Sequence, residues 1–297
     1  MADAQKPRFR RRKLQTGILR YPADGPRLLD TRQMPNRHLA MRGQFQYLPQ
    51  LESRWLSEPR TVMVYLPPSY AHSHHHYPVL YVHDGNNLFD PATGFMGREW
   101  RLDEALERLF TQELIPEIIV VGIYNTSARF EEYSWHAHDD HGFRHGVQGP
   151  AYARFVVEEL KPFIDSHYRT LSDRFHTGMM GSSLGAMISF YTALAYPQVF
   201  GCLALMSPTI YWANHQILHD VAHFPRHLKL WVDIGSEEGR NPLTEETIES
   251  TQLFIQALES IGYSQPDSLG FYIDWLAGHD EQAWARRVHK PLRYLFA

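Results

Sequence analysis

The segment GSSLG, residues 181–185, carries a serine between two glycines at the spacing G-x-S-x-G. An apolar run precedes it and a run rich in small residues follows, which predicts a sharp turn from a strand into a helix. On such a turn Ser183 is presented as a nucleophile, and the small flanking residues allow its strained backbone. The helix N-terminus favours negative charge there, and the backbone N–H of Leu184 is aimed at an oxyanion. The alternatives are an ordinary glycine turn, or Ser182 as the nucleophile.

A serine hydroxyl becomes a nucleophile only beside a base that is itself oriented by a third group. In parallel sheets these groups lie in loops after the strands, and they should follow the serine in the order acid, then histidine. Glu238 is the predicted acid because it comes just after the strand-like run LKLWVDIG, which contains Asp233; Glu237 is the alternative. His279 is the predicted base because its short, glycine-led loop lies between a strand and the last helix. In the alternative interpretation, both glutamates are solvated loop residues without a catalytic role.

A second oxyanion donor is expected after an early strand, in the segment YVHDGNNLFD. A tight turn at Asp84 and Gly85 would aim the backbone N–H of Asn86 at the site. A turn without a chemical role is the alternative interpretation of the same residues.

Four large side chains are candidates for substrate binding, because their segments are predicted to reach the C-terminal edge of the sheet. They are Trp100, Arg129, Trp135 and Trp212. The tryptophans could line an acyl or aryl pocket, and they could equally belong to the core. Arg129 could bind a substrate carboxylate, but we favour an ion pair with Glu131 or Glu132.

Seven runs rich in β-branched and aromatic residues predict strands, and they alternate with runs that have apolar residues at helical spacing. The predicted strands are residues 61–67, 78–85, 117–124, 175–181, 202–207, 228–235 and 270–276. The predicted helices are residues 101–110, 152–168, 184–197, 246–262 and 281–296. Because several strands are apolar throughout, the expected fold class is α/β, with a mostly parallel central sheet and helices on both faces.

The chain of 297 residues has no internal repeat and no low-complexity linker, which predicts a single catalytic domain over residues 36–297. Residues 1–35 are rich in charge and proline and are expected to form a partly flexible N-terminal arm. The basic run RFRRRK within this arm is interpreted as a solvated tail.

Composition excludes several classes of protein. The net charge of −4 gives no case for nucleic-acid binding, and no apolar run is long enough to span a membrane. No secretory signal is recognised, and the single cysteine, Cys202, suits a reducing compartment. We therefore expect a cytoplasmic protein that acts on a small molecule; the sequence does not indicate its oligomeric state.

Several segments beyond the serine motif resemble the putative esterase family of α/β-hydrolases. They are RTVMVYLPPSY, YPVLYVHDGNNLFD, IIVVGIYNTSARFEEYS, ELKPFIDSHYRT, MGSSLGAMIS and GHDEQAW, and the resemblance covers residues 60–296. The family includes enterochelin and other siderophore esterases, feruloyl esterases, S-formylglutathione hydrolase and the antigen 85 mycolyltransferases. The residues before Arg60 leave no room for the N-terminal sandwich domain of enterochelin esterases, so single-domain members are expected to be most similar.

This resemblance implies an α/β-hydrolase fold and a serine esterase without a cofactor, with siderophore or aryl esters as candidate substrates. The site residues that it implies are Ser183, Glu238 and His279 as the triad, with Leu184 and Asn86 as oxyanion donors. Ala186 departs from the family, which often has a second glycine at that position. The alternative functions are an acyltransferase with the same triad, and a non-catalytic binding protein on a hydrolase scaffold.

Two histidine-rich segments, residues 72–76 and 136–145, contain side chains of the kind that bind metals. The first lies between two predicted strands and is expected to be a solvated loop. The second precedes a helix and is expected to form a lid, a pocket wall or a plain loop. Since serine chemistry needs no metal, no metal site is predicted.

Overall fold

The computed structural model describes residues 27–28, 43–140, 143–238 and 243–297. The predicted N-terminal arm, residues 1–35, therefore lies outside the described residues apart from residues 27–28. Within the described ranges, no helix has both the length and the apolar character needed to cross a bilayer.

The described residues contain one large sheet and one separate hairpin. The strands are β1 (Arg27–Leu28), β2 (Gln44–Leu51), β3 (Arg60–Leu66), β4 (Val79–His83), β5 (Ile119–Ile123), β6 (His138–Asp140), β7 (Phe143–His145), β8 (Thr177–Ser182), β9 (Cys202–Met206), β10 (Lys229–Gly235) and β11 (Leu269–Asp274). The sheet has the order β1-β2-β3-β5-β4-β8-β9-β10-β11, whereas β6 pairs only with β7. From β5 to β11 the neighbouring strands are parallel, and β1, β2 and β3 add antiparallel pairs at one edge. The predicted mostly parallel sheet is confirmed.

Helices cover both faces of this sheet. They are α1 (Leu102–Thr111), α2 (Arg129–Glu132), α3 (Gly149–Arg154), α4 (Lys161–His167), α5 (Leu184–Ala195), α6 (Trp212–Asp220), α7 (Leu243–Ser260), α8 (Glu281–Arg287) and α9 (His289–Phe296). A π-helical segment, Phe155–Leu160, joins α3 to α4, so the helix predicted over residues 152–168 is one continuous helical region.

Alternate residues of each central strand enter two separate hydrophobic cores, because successive side chains of a strand point to opposite faces. In β4, Tyr81 belongs to the first core, and its neighbours Leu80 and Val82 belong to the second. The first core contains residues of α5 and α7, such as Ile188 of α5, and the second contains residues of α1, α8 and α9, such as Leu106 of α1. Burial on both faces explains why these strands are apolar throughout.

Two features of the fold differ from the sequence predictions, and a proline explains each. The antiparallel strand β2 was not predicted; its pairing with β3 shifts register between Leu48 and Leu51, around Pro49, which has no N–H for the ladder. The helix predicted over residues 281–296 is divided into α8 and α9 at Val288. Pro291 lies in the first turn of α9 and has no N–H to donate to the carbonyl of Arg287, so the ladder of helical hydrogen bonds is interrupted between α8 and α9.

The turn between β8 and α5 consists of one residue, Ser183, and it depends on a close approach of two glycines. A Cβ atom on Gly181 would lie only 2.5 Å from the carbonyl carbon and oxygen of Gly185. Such a distance is far below van der Waals contact, and both neighbours are backbone atoms that cannot rotate away. The chain can therefore turn this sharply only if residue 181 lacks a side chain.

Gly181→Ala is expected to lower the free energy of unfolding by about 2 kcal/mol or more, because the added methyl overpacks the turn. Denaturant titration of the purified variant measures this loss. Gly146→Ala is the matched control, since its Cβ would lie 3.2 Å from the flexible Glu131 side chain. That control should change stability by less than about 0.5 kcal/mol. Equal losses in the two variants would contradict the close-approach argument.

Candidate active site

Ser183 has a strained backbone between the end of β8 and the start of α5. Its φ of 57° and ψ of −127° lie outside the regions that a non-glycine residue normally adopts. Such a conformation costs about 1–3 kcal/mol and persists only where the surroundings enforce it. Here the serine N–H donates to the carbonyl of Met206 in β9 at 3.0 Å. Ser182, the alternative nucleophile, is the last residue of β8 and only 3% exposed, whereas Ser183 is half-buried.

A cavity of about 590 Å³ opens beside this serine, at the C-terminal edge of the parallel strands. We call it the Ser183 cavity. Both Ser183 and His279 line it, as does Asn86 from the loop after β4. Leu184 is the first residue of α5, where backbone N–H groups have no partner within the helix. The predicted nucleophile, base and oxyanion donors thus lie on or next to one cavity.

His279 is held by the predicted acid. Its Nδ1 lies 2.8 Å from Oε2 of Glu238, which is 5% exposed. Because an ionised carboxylate can only accept, Nδ1 carries the hydrogen and donates it, which leaves the lone pair on Nε2. The alternative acid, Glu237, is exposed, and its backbone N–H donates to the carbonyl of Ala277.

The second oxygen of Glu238 accepts three hydrogen bonds inside the protein. The donors are the backbone N–H of Gly235 at 2.6 Å, the hydroxyl of Ser207, and Nη2 of Arg287 at 3.1 Å. The hydroxyl oxygen of Ser207 itself accepts from Nε1 of Trp284 and from Nη2 of Arg287. Two N–H groups therefore occupy that oxygen, so its own hydrogen is directed to the carboxylate. The sequence analysis did not identify Ser207 or Arg287, since their contacts join strands and a helix far apart in sequence.

The loop after β4 begins with a left-handed residue and is clamped by a bidentate ion pair. Asp84, with a φ of 54°, starts the short 3-10 turn Gly85–Asn87. Nε and Nη2 of Arg129 donate to the two carboxylate oxygens of Asp84 at 2.7 and 2.8 Å, and Asn125 donates to one of them. Burial by itself would raise the pKa of Asp84, but the charge and hydrogen bonds of Arg129 outweigh it, so this pKa is lowered.

The substrate-binding candidates have other surroundings than the sequence suggested. Arg129 lines the cavity, but its ion pair is with Asp84 rather than with Glu131 or Glu132. Trp100 is fully buried against Trp284, with ring centroids 5.8 Å apart, so it is a core residue.

The other two tryptophans are also not among the residues that line the cavity. Trp135 stacks on Tyr191 with ring centroids 5.4 Å apart. Trp212 is 8% exposed and stacks behind Phe130 at 6.3 Å. In both contacts the apolar faces of the rings stack, so these side chains contribute to the packing of the core.

Four apolar side chains that the sequence analysis missed line the cavity. They are Phe95, Met96, Phe130 and Trp284. Only Trp284 had a usable signal, because it lies one helical turn into α8, the helix that begins just after His279. Its ring meets the imidazole edge-on at 5.0 Å. The missed Glu281 also lines the cavity and accepts from Nδ2 of Asn87 at 3.2 Å; burial raises the pKa of this carboxyl group.

Neither histidine-rich segment forms a recognisable metal centre in the described residues, where no three His, Cys, Asp or Glu side chains are grouped as ligands. The histidines of residues 72–76 are exposed. In the second segment, described except for residues 141–142, Nε2 of His136 meets a carboxylate oxygen of Asp220 at 2.8 Å. Nδ1 of His138 accepts from the N–H of Ala213 at 3.1 Å. These contacts fasten the hairpin to α6.

His83, the last residue of β4, lies directly before the loop that begins at Asp84. It is fully buried, and its Nδ1 lies 2.9 Å from the hydroxyl of Tyr152. Burial lowers the pKa of His83 to about 4, although the carboxylate of Asp84 opposes the shift. The ring is therefore neutral at neutral pH.

Comparisons with known proteins agree with this geometry. A family model described as "Putative esterase" matches residues 53–295. "Uncharacterized protein YbbA" of Bacillus subtilis (strain 168) is 28% identical over 243 residues, which span 80% of this chain and 92% of that protein. An endo-1,4-beta-xylanase/feruloyl esterase of Xylanibacter ruminicola is 25% identical over 244 residues, 80% of this chain but 29% of that protein.

A solved structure shares the fold. The crystal structure of an IroE-like serine hydrolase from Shewanella oneidensis has a TM-score of 0.69 and 22% identity, over 85% of this chain and 80% of that one. Together with the sheet order, this likeness confirms the predicted α/β-hydrolase fold.

The low pKa of His83 predicts how stability depends on pH. In the unfolded chain this histidine protonates near pH 6.5, but in the folded protein only near pH 4. As pH falls between these values, the unfolded state binds a proton and the folded state does not. The free energy of unfolding therefore falls. The contribution lost is on the order of 3 kcal/mol.

Urea titrations between pH 7 and pH 4.5 measure this dependence. In His83→Asn the free energy of unfolding should fall less steeply with decreasing pH than in wild type. The two slopes should differ by about 1.4 kcal/mol per pH unit, which corresponds to one proton. His74→Asn, at an exposed position, is the control and should keep the wild-type slope. An unchanged slope in His83→Asn would contradict the buried neutral histidine.

Proposed function

The chain belongs to the putative esterase family, and from this premise we propose that it hydrolyses carboxylic esters with Ser183, His279 and Glu238 as a catalytic triad. The observation that carries the proposal is the 2.8 Å contact between Nδ1 of His279 and the buried Glu238 carboxylate, beside a cavity that both the histidine and the serine line. A base oriented by an acid next to a serine on a strained turn is the arrangement that activates a hydroxyl.

In the proposed reaction, Oγ of Ser183 attacks the ester carbonyl carbon while Nε2 of His279 takes the hydroxyl proton. The carbonyl π bond opens, and its electron pair becomes the oxyanion of a tetrahedral intermediate. When the intermediate collapses, the bond to the alkoxy group breaks, and His279 returns the proton to the leaving alcohol. Water then attacks the acyl-enzyme by the same route, which releases the carboxylic acid and restores the serine.

Stabilisation of the oxyanion is assigned to the backbone N–H groups of Leu184 and Asn86. The first belongs to the N-terminus of α5, where the helix dipole also favours negative charge. The second follows the Asp84 turn, which the Arg129 clamp holds in place. Donors fixed before the reaction contribute more than donors that must reorient, and loss of one typically costs about 10²–10³ in kcat.

For the substrate, we propose a siderophore or aryl ester, and more broadly an ester that carries an aromatic ring. The support is the presence of three aromatic rings in the cavity lining, those of Phe95, Phe130 and Trp284, on which an aromatic group of the substrate can stack. The size of the cavity is ordinary for a small ligand, for which about 300–1,000 Å³ is typical. One relative is named as a feruloyl esterase, and the aromatic feruloyl group in that name adds support of the same kind.

Fluorophosphonate labelling tests the triad, with the modified peptide mapped by mass spectrometry. We expect one adduct on Ser183 and loss of labelling in His279→Ala, because the hydroxyl is activated by its base. Hydrolysis of a simple ester should fall by about 10⁴-fold or more in Ser183→Ala. Ser182→Ala is the matched control and should keep labelling at residue 183. Full hydrolysis by Ser183→Ala would reject the proposed nucleophile.

Phe130→Ala tests the aryl class. This side chain is 45% exposed and lines the cavity, so its removal takes away stacking surface. We expect kcat/KM to fall about tenfold for methyl ferulate and for a dihydroxybenzoyl ester. For an acetate ester it should change less than about twofold, since a methyl group cannot stack.

The control is Phe175→Ala, at a site that is 74% exposed and is not part of the cavity. This variant should leave kcat/KM unchanged for the aromatic esters and for the acetate ester. Equal losses for aryl and acetate esters in Phe130→Ala would count against the aryl pocket.

A further inference from the structure

One arginine side chain reaches both the predicted acid and the strand next to it. Arg287, the last residue of α8, is only 1% exposed. Its Nη2 donates to Oε1 of Glu238 at 3.1 Å and to the hydroxyl oxygen of Ser207. Its Nε donates to Oδ1 of Asp233 in β10 at 2.8 Å. A planar guanidinium can serve such separate acceptors at fixed angles, which a single ammonium cannot do.

We propose that Arg287 is a positioning residue for catalysis: it fixes the Glu238 carboxylate in the orientation that holds His279 toward Ser183. The inference rests on the proposed function and deepens it. Arg287 does not line the Ser183 cavity, so it acts through the acid. It reaches Oε1, and Oε2 is thereby directed to the imidazole at 2.8 Å.

The charges around Arg287 explain why a cation is needed here. Two carboxylates, Asp233 and Glu238, are buried within reach of the same guanidinium, and Asp274 of β11 lies 3.6 Å from its Nη1. Tyr272 of β11 also interacts electrostatically with the arginine. Buried like charges repel, and without a cation one of them tends to take up a proton. Burial raises the pKa of Asp233 even with Arg287 present, although the arginine opposes the shift.

Helix α8 also carries Trp284, a second residue that contacts the site of the proposed base, His279. Trp284, one turn before Arg287, meets the His279 ring edge-on at 5.0 Å and donates to the Ser207 hydroxyl. Ser207 receives N–H donors from both residues of α8, so its own hydrogen is left for Glu238. The loop that carries the base leads directly into α8. His279, Trp284 and Arg287 therefore belong to one continuous segment, the loop and helix α8.

A purely structural interpretation is also conceivable, in which Arg287 only neutralises Asp233 and joins α8 to the sheet. The two interpretations differ in the active-site readouts. A positioning residue changes the rate and the pH profile of each correctly folded site. A structural residue changes how many molecules are folded, but it leaves each folded site as it was.

The experiment compares Arg287→Met and Arg287→Lys with wild type, using p-nitrophenyl acetate as substrate. Fluorophosphonate titration counts the active sites, so kcat is expressed per reactive serine. Thermal unfolding is recorded for each variant separately. Arg286→Met is the matched control, because Arg286 is the exposed neighbour on the same helix.

We expect kcat per site to fall by about 10²-fold in Arg287→Met, with KM changed less than threefold, because the base is misplaced while the cavity is intact. The acid limb of the kcat profile should move to higher pH by about one unit, since a lost buried positive charge favours protonation of the groups around it. Arg287→Lys keeps the charge, so its acid limb should stay near that of wild type while kcat is intermediate. Arg286→Met should match wild type.

The proposal is overturned if Arg287→Met keeps the wild-type kcat per site and acid limb, whatever happens to its thermal unfolding. If Arg287→Met does not fold, Arg287→Lys decides: wild-type kcat per site would equally overturn the proposal, because the lysine cannot reproduce the forked contacts. Failure of the proposed function gives a different result, namely that wild type is neither labelled nor active. The two failures are therefore distinguishable.

Discussion

A carboxylate removed from water is the constraint on which the active-site half of this molecule depends. Glu238 is 5% exposed, and an ionised carboxylate at such a site must have its oxygens occupied by donors or become neutral. Gly235, Ser207, Arg287 and His279 supply these donors from the end of β10, the end of β9, α8 and the loop before α8. Satisfying one charge thus brings strands and a helix from distant parts of the chain together. The histidine that benefits from the charge is also one of its four partners.

The serine side of the site depends on a different kind of constraint, which is steric. The backbone of Ser183 is strained, and the turn is possible only because Gly181 has no Cβ, which would collide with the backbone of Gly185. The strain persists because the flanking strand is buried in the sheet and the following helix is buried in the core. These two elements are fixed by apolar packing on both faces. The strained turn at Ser183 therefore requires the sheet and the helix around it, and this is why the motif is meaningful only between a strand and a helix.

Sequence reasoning located residues of the cavity that lie in short, recognisable segments, and it missed contacts between distant parts of the chain. Positions in loops after predicted strands were enough to select Ser183 and His279, and the structure brings both to one cavity. The partner of Arg129 was missed, because periodicity favours neighbours such as Glu132 and cannot reveal a carboxylate 45 residues earlier. The tryptophans proposed for substrate binding do not line the cavity, for a related reason. A tryptophan near the end of a strand can pack in the core or line a pocket, and the local sequence is the same in both cases. Trp100 illustrates this, since nothing in its local sequence marks it as buried.

Two arginine–carboxylate pairs flank the site, and in each the cation is balanced by carboxylates of the protein itself. Arg129 is paired with Asp84 in the loop after β4, and Arg287 is paired with Asp233 and Glu238 behind the histidine. Apart from Asp84, Arg129, Glu281 and His279, the lining of the Ser183 cavity consists of neutral residues, chiefly amide side chains and apolar rings. This division suits a neutral ester, because a fixed cation near the carbonyl would favour anionic ligands in the ground state, the acid product included. Neutral donors held rigidly in place respond instead to the charge that develops only in the transition state, which is where binding accelerates the reaction.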